Sequence, residues 1–195
     1  MGKAWADARR DANVARLATT LAEALPGRTT LTFELGCGHG HWLAAYGAAH
    51  PDEFCLGIDL ITHRVARSVR KQTLGQLGNV LFLKAEATEF LEALPATAVL
   101  GRIFILYPDP WPKKKHHKHR FINAASLDQL AARANAGTRL HFRTDNADYF
   151  QWTKDHLAAH PRWEVRPEGA WPFEQKTFFE ERMKDRRDLF ADRRT

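Results

Sequence analysis

Cysteine is scarce in this chain of 195 residues, and long apolar runs are absent. The two cysteines, Cys37 and Cys55, lie inside apolar runs, where a thiol packs as a small hydrophobe, so we expect no disulfide framework. No run reaches the roughly 18 apolar residues of a membrane-spanning helix. Since the first residues also lack a signal peptide's apolar segment and a myristoylation motif, the sequence predicts a cytoplasmic protein without a membrane anchor.

The charge balance predicts one localised basic surface. The chain has 29 Lys and Arg against 23 acids, and Lys113–Arg120 contributes five positive charges without an acid. The remaining 24 basic residues balance the 23 acids, so the basicity is expected to be one cluster. Such a cluster is a candidate contact for a polyanion.

Apolar runs that alternate with amphipathic stretches predict a single α/β domain over residues 1–195. The runs are typical of buried parallel strands, and the stretches between them have one apolar and one charged face, which indicates helices on both faces of the sheet. The expected strands are residues 31–35, 54–58, 80–83, 103–106 and 140–142, and the expected helices include residues 4–25 and 42–49. The predicted helix faces are Val65, Val69, Thr73 and Leu77; Leu127, Leu130, Ala131 and Ala134; and Tyr149, Phe150, Thr153 and Leu157. Past Pro161 the alternation degrades into the short apolar segment 163–165, an irregular stretch at 167–172, and a final segment at 175–183 that is expected to form one or two strands.

The first predicted strand continues into a glycine loop and then a helix. Glu34 precedes Gly36, Gly38 and Gly40. Glycine has no Cβ, so it permits positive φ and the close approach of a ligand to the backbone. The spacing G-x-G-x-G differs from the G-x-G-x-x-G of dinucleotide sites, and Asp59 follows about twenty residues later, where an acid can bind ribose hydroxyls. A tight turn without a ligand and a nicotinamide site are the alternatives.

Two further acids follow the third and fourth predicted strands. Glu86 lies at the end of the third, either facing a ligand or as a solvated loop acid. Asp109 lies in the loop Tyr107–Pro112, where three prolines stiffen the backbone. Because ligands of open α/β sheets bind beyond the carboxyl ends of the strands, both acids are candidate site residues.

The basic run contains three histidines at positions 116, 117 and 119, which raises the question of zinc. The flanking cations oppose metal binding, so we expect no metal; contact with RNA phosphates is favoured over a merely solvated run. Trp111 is either a base-stacking or a packing residue.

The glycine loop with Glu34 resembles motif I of the class I S-adenosylmethionine methyltransferases. The loop Pro108–Lys114, with the histidines and lysine that follow, closely resembles the bacterial tRNA (guanine-N7)-methyltransferase family. That resemblance implies a Rossmann-like fold with a mostly parallel sheet of about seven strands. It also implies S-adenosylmethionine as cofactor and methyl transfer to N7 of a guanine in tRNA, namely guanine 46 of the variable loop.

By matching positions, the resemblance implies a role for each candidate residue. The cofactor residues would be Glu34, Gly36, Gly38, Asp59, Glu86 and Asp109, with Asp109 also catalytic. The guanosine would contact Lys113, Asp145, Thr177 and Glu180, and tRNA would bind through Lys113–Arg120. The chain would comprise an N-terminal helix (residues 1–27), a cofactor-binding core (28–160) and a substrate-side segment (161–195), acting as a monomer or homodimer.

The sequence also departs from the family pattern. Phe178 stands where a basic residue is usual, Glu86 stands where Asp is usual, and the family's basic N-terminal arm is absent. Two alternatives therefore stay open: a diverged methyltransferase acting on another RNA or nucleobase, and a non-catalytic protein that binds S-adenosylmethionine or RNA.

Overall fold

A computed structural model describes residues 2–25, 27, 30–175 and 185–195, and within them the strands form one seven-stranded sheet. The strands are β1 (Thr30–Leu35), β2 (Phe54–Asp59), β3 (Val80–Lys84), β4 (Val99–Leu106), β5 (Ala134–Thr144), β6 (Trp163–Arg166) and β7 (Arg187–Arg193). Their order across the sheet is β3-β2-β1-β4-β5-β7-β6. Neighbours from β3 to β5 pair in parallel, and β7 is antiparallel to both β5 and β6. The expected mostly parallel sheet is confirmed.

Six α-helices connect or flank these strands in the described residues. They are α1 (Gly2–Ala24), α2 (His41–Ala49), α3 (Thr62–Leu74), α4 (Ala87–Ala93), α5 (Ala124–Ala132) and α6 (Ala147–Ala159). A 3-10 turn, Lys114–His119, lies within the basic run.

The side chains of β4 show how the two faces of the sheet are covered. Successive side chains of a strand point to opposite faces. Ile103 and Ile105 belong to one buried cluster, which includes residues of α1, α4, α5 and α6. Phe104 and Leu106 belong to a second cluster, formed with α2 and flanked by Trp171. The prediction of helices on both faces is confirmed.

The predicted buried face of α3 was wrong in part. Val65 is buried as expected, but Val69 is 40% exposed and Thr73 is also exposed. The second buried residue is Ser68, whose hydroxyl donates to the carbonyl oxygens of Gly38 (2.9 Å) and Arg64 (3.0 Å). A search for apolar periodicity misses a polar residue that is buried because its hydrogen bonds are satisfied.

Two further boundaries differ from the predictions. Ala134, predicted on the face of α5, begins β5, which pairs Ala134 with Leu100 before a register shift. Of the predicted strand at 175–183, Gln175 lies in no strand and the remainder lies outside the described residues. The strand Arg187–Arg193 was not predicted, because its charged residues mask the short apolar centre.

Candidate functional site

The glycine loop is held against β2 and opens above the carboxyl edge of the sheet. The backbone N–H groups of Gly36 and Cys37 both donate to the carbonyl oxygen of Ile58, at 2.9 Å. Gly36, Gly38 and Gly40 have φ of 73°, 54° and 67°, which L side chains rarely adopt. The loop conformation therefore favours glycine at all three positions.

Gly36 and Gly40 serve different purposes in this loop. A Cβ on Gly40 would lie 2.8 Å from ring atoms of Phe82 and from Cβ of Ser68, so glycine there permits close packing. A Cβ on Gly36 would meet no atom within 4 Å. The space above Gly36 is open, and a methyl group there would occupy room available to a ligand.

Two carboxyl groups, Glu34 and Asp59, lie beneath and beside the loop. Asp59 is buried, and its oxygens accept from the N–H of Gly38 (3.0 Å) and of Ile61 (2.8 Å). These bonds bring the predicted residues Gly38 and Asp59 together and fix the carboxylate's orientation. Each oxygen of a carboxylate can accept a second hydrogen bond, so Asp59 retains capacity for ligand hydroxyls.

Glu34 is almost completely buried, with 3% of its surface exposed. Its Oε2 atom has no hydrogen-bond partner among the described residues. Burial, followed by the charge of Asp59, raises the pKa of Glu34 to about 8. A buried carboxyl without a partner is costly to the folded protein, and a cationic ligand beside it would reduce that cost.

Glu86 caps the amino terminus of α4 and borders a cavity. Its Oε2 accepts from the N–H groups of Thr88 (2.8 Å) and Glu89 (3.1 Å). The cavity has a volume of about 690 Å³. Its lining comprises Arg9, Asn13, Arg16, Leu60, Lys84, Ala85, Glu86 and Glu89. The prediction had not included the α1 residues in the site, because nothing in the sequence of α1 shows that it packs on α4.

Asp109 lies in the loop that follows β4, and β4 is the neighbour of β1 in the sheet. Its carboxylate is exposed, and the loop's backbone is unusual because Tyr107 and Trp111 have φ of 47° and 46°. Such conformations in non-glycine residues store strain and cluster at functional sites. The loop therefore presents Asp109 to solvent at the carboxyl edge that also carries Glu34 and Asp59.

Arg120 anchors this loop from below, which corrects its predicted contact with RNA. It is only 2% exposed; its Nε donates to the carbonyl oxygen of Pro110 (2.8 Å), and its Nη2 donates to Asp148. Its guanidinium also lies over the rings of Tyr149 (4.9 Å) and Trp152 (5.1 Å). Because this guanidinium is buried and two of its nitrogens are bound by Pro110 and Asp148, it is not accessible to a phosphate, and the exposed lysines of the run are the four that remain.

Two of the four predicted substrate residues, Lys113 and Asp145, follow the neighbouring strands β4 and β5. Lys113 and Asp145 are exposed, Asp145 directly after β5. Thr177 and Glu180 lie outside the described residues. Trp111 is 36% exposed, with its ring centroid 4.9 Å from that of His119, so it does not pack into the core.

A buried arginine near Asp145 was missed by the sequence reasoning. Arg143 is 1% exposed and forms a two-pronged ion pair with Asp188, at 2.7 and 3.0 Å. It also contacts Glu174 (3.3 Å), and its guanidinium lies 3.8 Å from the centroid of the Trp171 ring. These contacts tie residues of the C-terminal segment to the end of β5.

Within the described ranges, no group of three or more His, Cys, Asp or Glu residues has the arrangement of a metal site. No helix in the part of the chain that the structure describes is long and apolar enough to cross a membrane.

A family model described as "Putative methyltransferase" matches residues 28–188. The chain belongs to this methyltransferase family. Among its relatives, proteins named tRNA (guanine-N(7)-)-methyltransferase from Rhodospirillum rubrum and Treponema pallidum are each 34% identical to it, over 143 and 150 residues. These matches cover 72% and 77% of this chain but 56% and 60% of the relatives, so the chain spans little more than half of their length.

Solved structures of other methyltransferases have the same fold as this protein. A 16S rRNA (adenine(1408)-N(1))-methyltransferase from Catenulisporales acidiphilia, a mutant solved with its cosubstrate SAM, has a TM-score of 0.63 at 18% identity. It covers 91% of this chain and 92% of its own. The 16S rRNA methyltransferase KamB has a TM-score of 0.61 at 15% identity, covering 95% and 94%. The class I methyltransferase fold expected from the resemblance is confirmed.

Proposed function

We propose that this protein transfers a methyl group from S-adenosylmethionine to N7 of a guanine in tRNA, with guanine 46 of the variable loop as the specific target. Membership of a methyltransferase family and relatives named as tRNA (guanine-N(7)-)-methyltransferases support the reaction class. The observation that carries the proposal is the buried Glu34 carboxyl with an unpaired oxygen beneath an open glycine loop.

The residues at the carboxyl edge fit this cofactor. Glu34 would pair with the ammonium group of the methionine part, because that cation supplies the partner that Oε2 lacks. Asp59 would accept the ribose hydroxyls with its remaining lone pairs, and the cavity bordered by Glu86 would hold the adenine. Gly36 and Gly38 would admit the methionine part close to the backbone.

The proposed reaction requires little acid-base catalysis by the protein. The bound cofactor supplies an electrophilic methyl group on a positively charged sulfur. Guanine N7 has an exposed lone pair and attacks without first losing a proton, so no general base is required. The methyl–N7 bond would form as the methyl–sulfur bond breaks, with S-adenosylhomocysteine as the other product. Orientation of the two reactants can contribute roughly 7 to 11 kcal/mol, and nearby carboxylates would stabilise the positive charge that passes from the sulfur to the purine.

Asp109 is proposed as the catalytic carboxylate, with Asp145 beside it. Both are exposed acceptors after neighbouring strands, β4 and β5. They can accept hydrogen bonds from guanine N1–H and the exocyclic amine, and adenine lacks that pair of donors. The anchoring of Pro110 by Arg120 would restrict the motion of Asp109 during transfer. Lys113, Thr177 and Glu180 would contact the guanosine.

The exposed lysines of the basic run would bind tRNA phosphates. Lys113, Lys114, Lys115 and Lys118 are exposed. At about 0.7 to 0.9 per contact, these four lysines contribute about −2.8 to −3.6 to the logarithmic salt slope of tRNA affinity. A protein with this activity would work in the cytoplasm, where tRNA is modified.

The test is nucleoside mass spectrometry of unmodified tRNA incubated with the full chain and S-adenosylmethionine. Asp109→Asn is run beside Asp52→Asn, the same change at an exposed acid that precedes β2 at the opposite edge of the sheet. We expect 7-methylguanosine with the wild type and with Asp52→Asn, and at most about 1% of that rate with Asp109→Asn. A tRNA carrying adenine in place of guanine 46 should not be methylated.

The same experiment separates the alternatives. Binding of S-adenosylhomocysteine without transfer to any tRNA would contradict the proposed activity and favour a non-catalytic binder. Methylation at another nucleotide would retain the enzyme class and reject the proposed target. Equal activity of both aspartate variants would remove Asp109 from the site.

A further inference from the structure

The outward face of α3 carries a row of positive charges. The helix contains His63, Arg64, Arg67, Arg70 and Lys71, and its 13 residues include no acid. Spacings of three and four residues place side chains on one side of a helix. Val65 and Ser68 are the buried residues of α3, so His63, Arg67 and Arg70 lie on the exposed side, while Arg64 and Lys71 are half-buried along its border. We call His63, Arg64, Arg67, Arg70 and Lys71 the α3 stripe.

Among the described residues, Arg67, Arg70 and Lys71 of the α3 stripe lack the acidic partners that several other arginines of the protein have. Arg102, Arg139 and Arg143 pair with Glu53, Asp192 and Asp188. In the α3 stripe, Arg64 lies 3.9 Å from Asp59. Arg67, Arg70 and Lys71 form no ion pair with any acid of the described ranges. The expectation that the chain's basicity is one cluster was therefore wrong: α3 adds a second concentration of charge.

The electrostatic environment of neighbouring groups indicates the same excess of positive charge. The pKa of His39 is lowered, first by burial and then by the charges of Arg67, Lys71 and Arg64. The pKa of Lys71 is likewise lowered by burial and by Arg67. These cations repel one another, and a polyanion bound across them would relieve the repulsion.

The α3 stripe begins at the candidate site. Asp59 ends β2, and α3 starts three residues later at Thr62. The His63 ring centroid lies 6.5 Å from that of His39, which belongs to the glycine loop. The lysines of the basic run follow β4, and β2 and β4 are the two neighbours of β1. The two cationic surfaces therefore lie on either side of the glycine loop.

We propose that the α3 stripe is a second phosphate-binding surface, which holds the same tRNA on the side of the site opposite the lysines of the basic run. The proposal rests on the proposed function, because it takes tRNA as the polyanion. From Arg64 to Lys71 the helix rises about 10 Å, enough for several side chains to reach successive phosphates of one strand. Phosphate contacts position a nucleic acid without reading its sequence, and exposed arginines suit that role.

The test compares tRNA binding by the double variant Arg67→Gln/Arg70→Gln with that of the wild type over a range of salt concentrations. Both side chains are exposed, so thermal unfolding should not change. We expect the logarithmic salt slope to become shallower by about 1.4 to 1.8, which corresponds to two lost phosphate contacts. KM for tRNA should rise at least tenfold, while kcat and the affinity for S-adenosylhomocysteine should stay within about twofold.

Two controls make the result specific. Lys154→Gln removes an exposed charge from α6, on the other face of the sheet, and should leave the slope unchanged. Arg67→Lys/Arg70→Lys keeps the charge and should restore most of the affinity. An unchanged salt slope in the double glutamine variant would show that Arg67 and Arg70 contact no tRNA phosphate and would overturn the proposal. So would an equal loss in Lys154→Gln.

Failure of this proposal is distinguishable from failure of the proposed function. If the double glutamine variant methylates tRNA with wild-type KM, the α3 proposal is rejected and the proposed function stands. If the wild type neither binds nor methylates tRNA, both are rejected.

Discussion

Replacing Glu34 by its neutral isostere, Glu34→Gln, is expected to remove a strong pH dependence from cofactor binding. In the folded protein burial and the charge of Asp59 raise the pKa of Glu34 to about 8. If the ligand's ammonium group pairs with this side chain, binding requires the ionised carboxylate. Below pH 8 the carboxyl group of Glu34 must lose a proton before the ligand binds. Each further decrease of one pH unit then lowers the affinity by up to about tenfold.

The magnitude follows from the ionised fraction of Glu34. With a pKa of about 8, that fraction is about 1% at pH 6, about 9% at pH 7 and half at pH 8. The Kd for S-adenosylhomocysteine should therefore fall about ninefold from pH 6 to 7 and about fifty-fold from pH 6 to 8. The amide of Glu34→Gln does not titrate, so its Kd should be nearly constant over this range.

Isothermal titration calorimetry measures both the affinity and the protons released. In buffers of different ionisation enthalpy, the wild type should release about 0.9 proton per ligand at pH 7, and Glu34→Gln should release close to none. Glu23→Gln, at an exposed acid of α1, is the matched control and should behave as the wild type does. A wild-type Kd that is constant with pH would refute the reasoning. An equal pH dependence in Glu34→Gln would also refute it, because the titrating group would then belong to the ligand.

The remaining predictions concern the glycine loop, the anchor of the chemistry loop and a buried histidine. Gly36→Ala should weaken S-adenosylhomocysteine binding at least tenfold in calorimetry. It should destabilise the fold by only about 1 kcal/mol, since the added methyl group enters open space at a φ of 73°. If the variant bound with wild-type affinity, no ligand would lie above Gly36. Arg120→Met should lower Tm by several degrees and leave the salt slope of tRNA binding unchanged. Lys114→Ala should leave Tm unchanged and make the slope shallower by about 0.7 to 0.9. The reverse pattern would show that Arg120 contacts the RNA. Burial lowers the pKa of His141 to about 4, below its unfolded value of about 6.5, so its contribution to stability is present above pH 6.5 and is lost as the pH falls toward 4. Denaturant unfolding between pH 7 and 4 should show a loss of up to about 3 kcal/mol that is smaller in His141→Phe, and identical pH profiles would contradict this.

The parts of the site that could be predicted from the sequence are those fixed by a few consecutive residues. The strand, the glycine loop and the following helix are contiguous, and Asp59 follows from the next strand in a parallel sheet. The carboxyl edge was predictable for the same reason, because each connection between parallel strands returns the chain to the same end of the sheet. These rules required no knowledge of side-chain contacts.

The rest depended on partners distant in the chain. In the basic run Arg120 has the same local context as its neighbours. It is buried because α6 supplies Asp148, 28 residues later, and the rings of Tyr149 and Trp152. The α1 residues Arg9 and Asn13 line the cavity only because α1 packs on α4. The charge of α3 was overlooked because the total charge outside the basic run is almost balanced, and a total does not show that acids and bases lie on different surfaces.

The strand order has a consequence for how the protein is made. β6 precedes β7 in the chain, yet β7 lies between β5 and β6 and forms the strand pairs that join β6 to the sheet. During synthesis β6 therefore leaves the ribosome before the strand with which it will pair exists. The parallel half of the sheet can form earlier from nearer neighbours, whereas β5 keeps an unpaired edge until β7 arrives. The ion pairs of Asp188 with Arg143 and of Asp192 with Arg139 likewise cannot form until β7 has been synthesised.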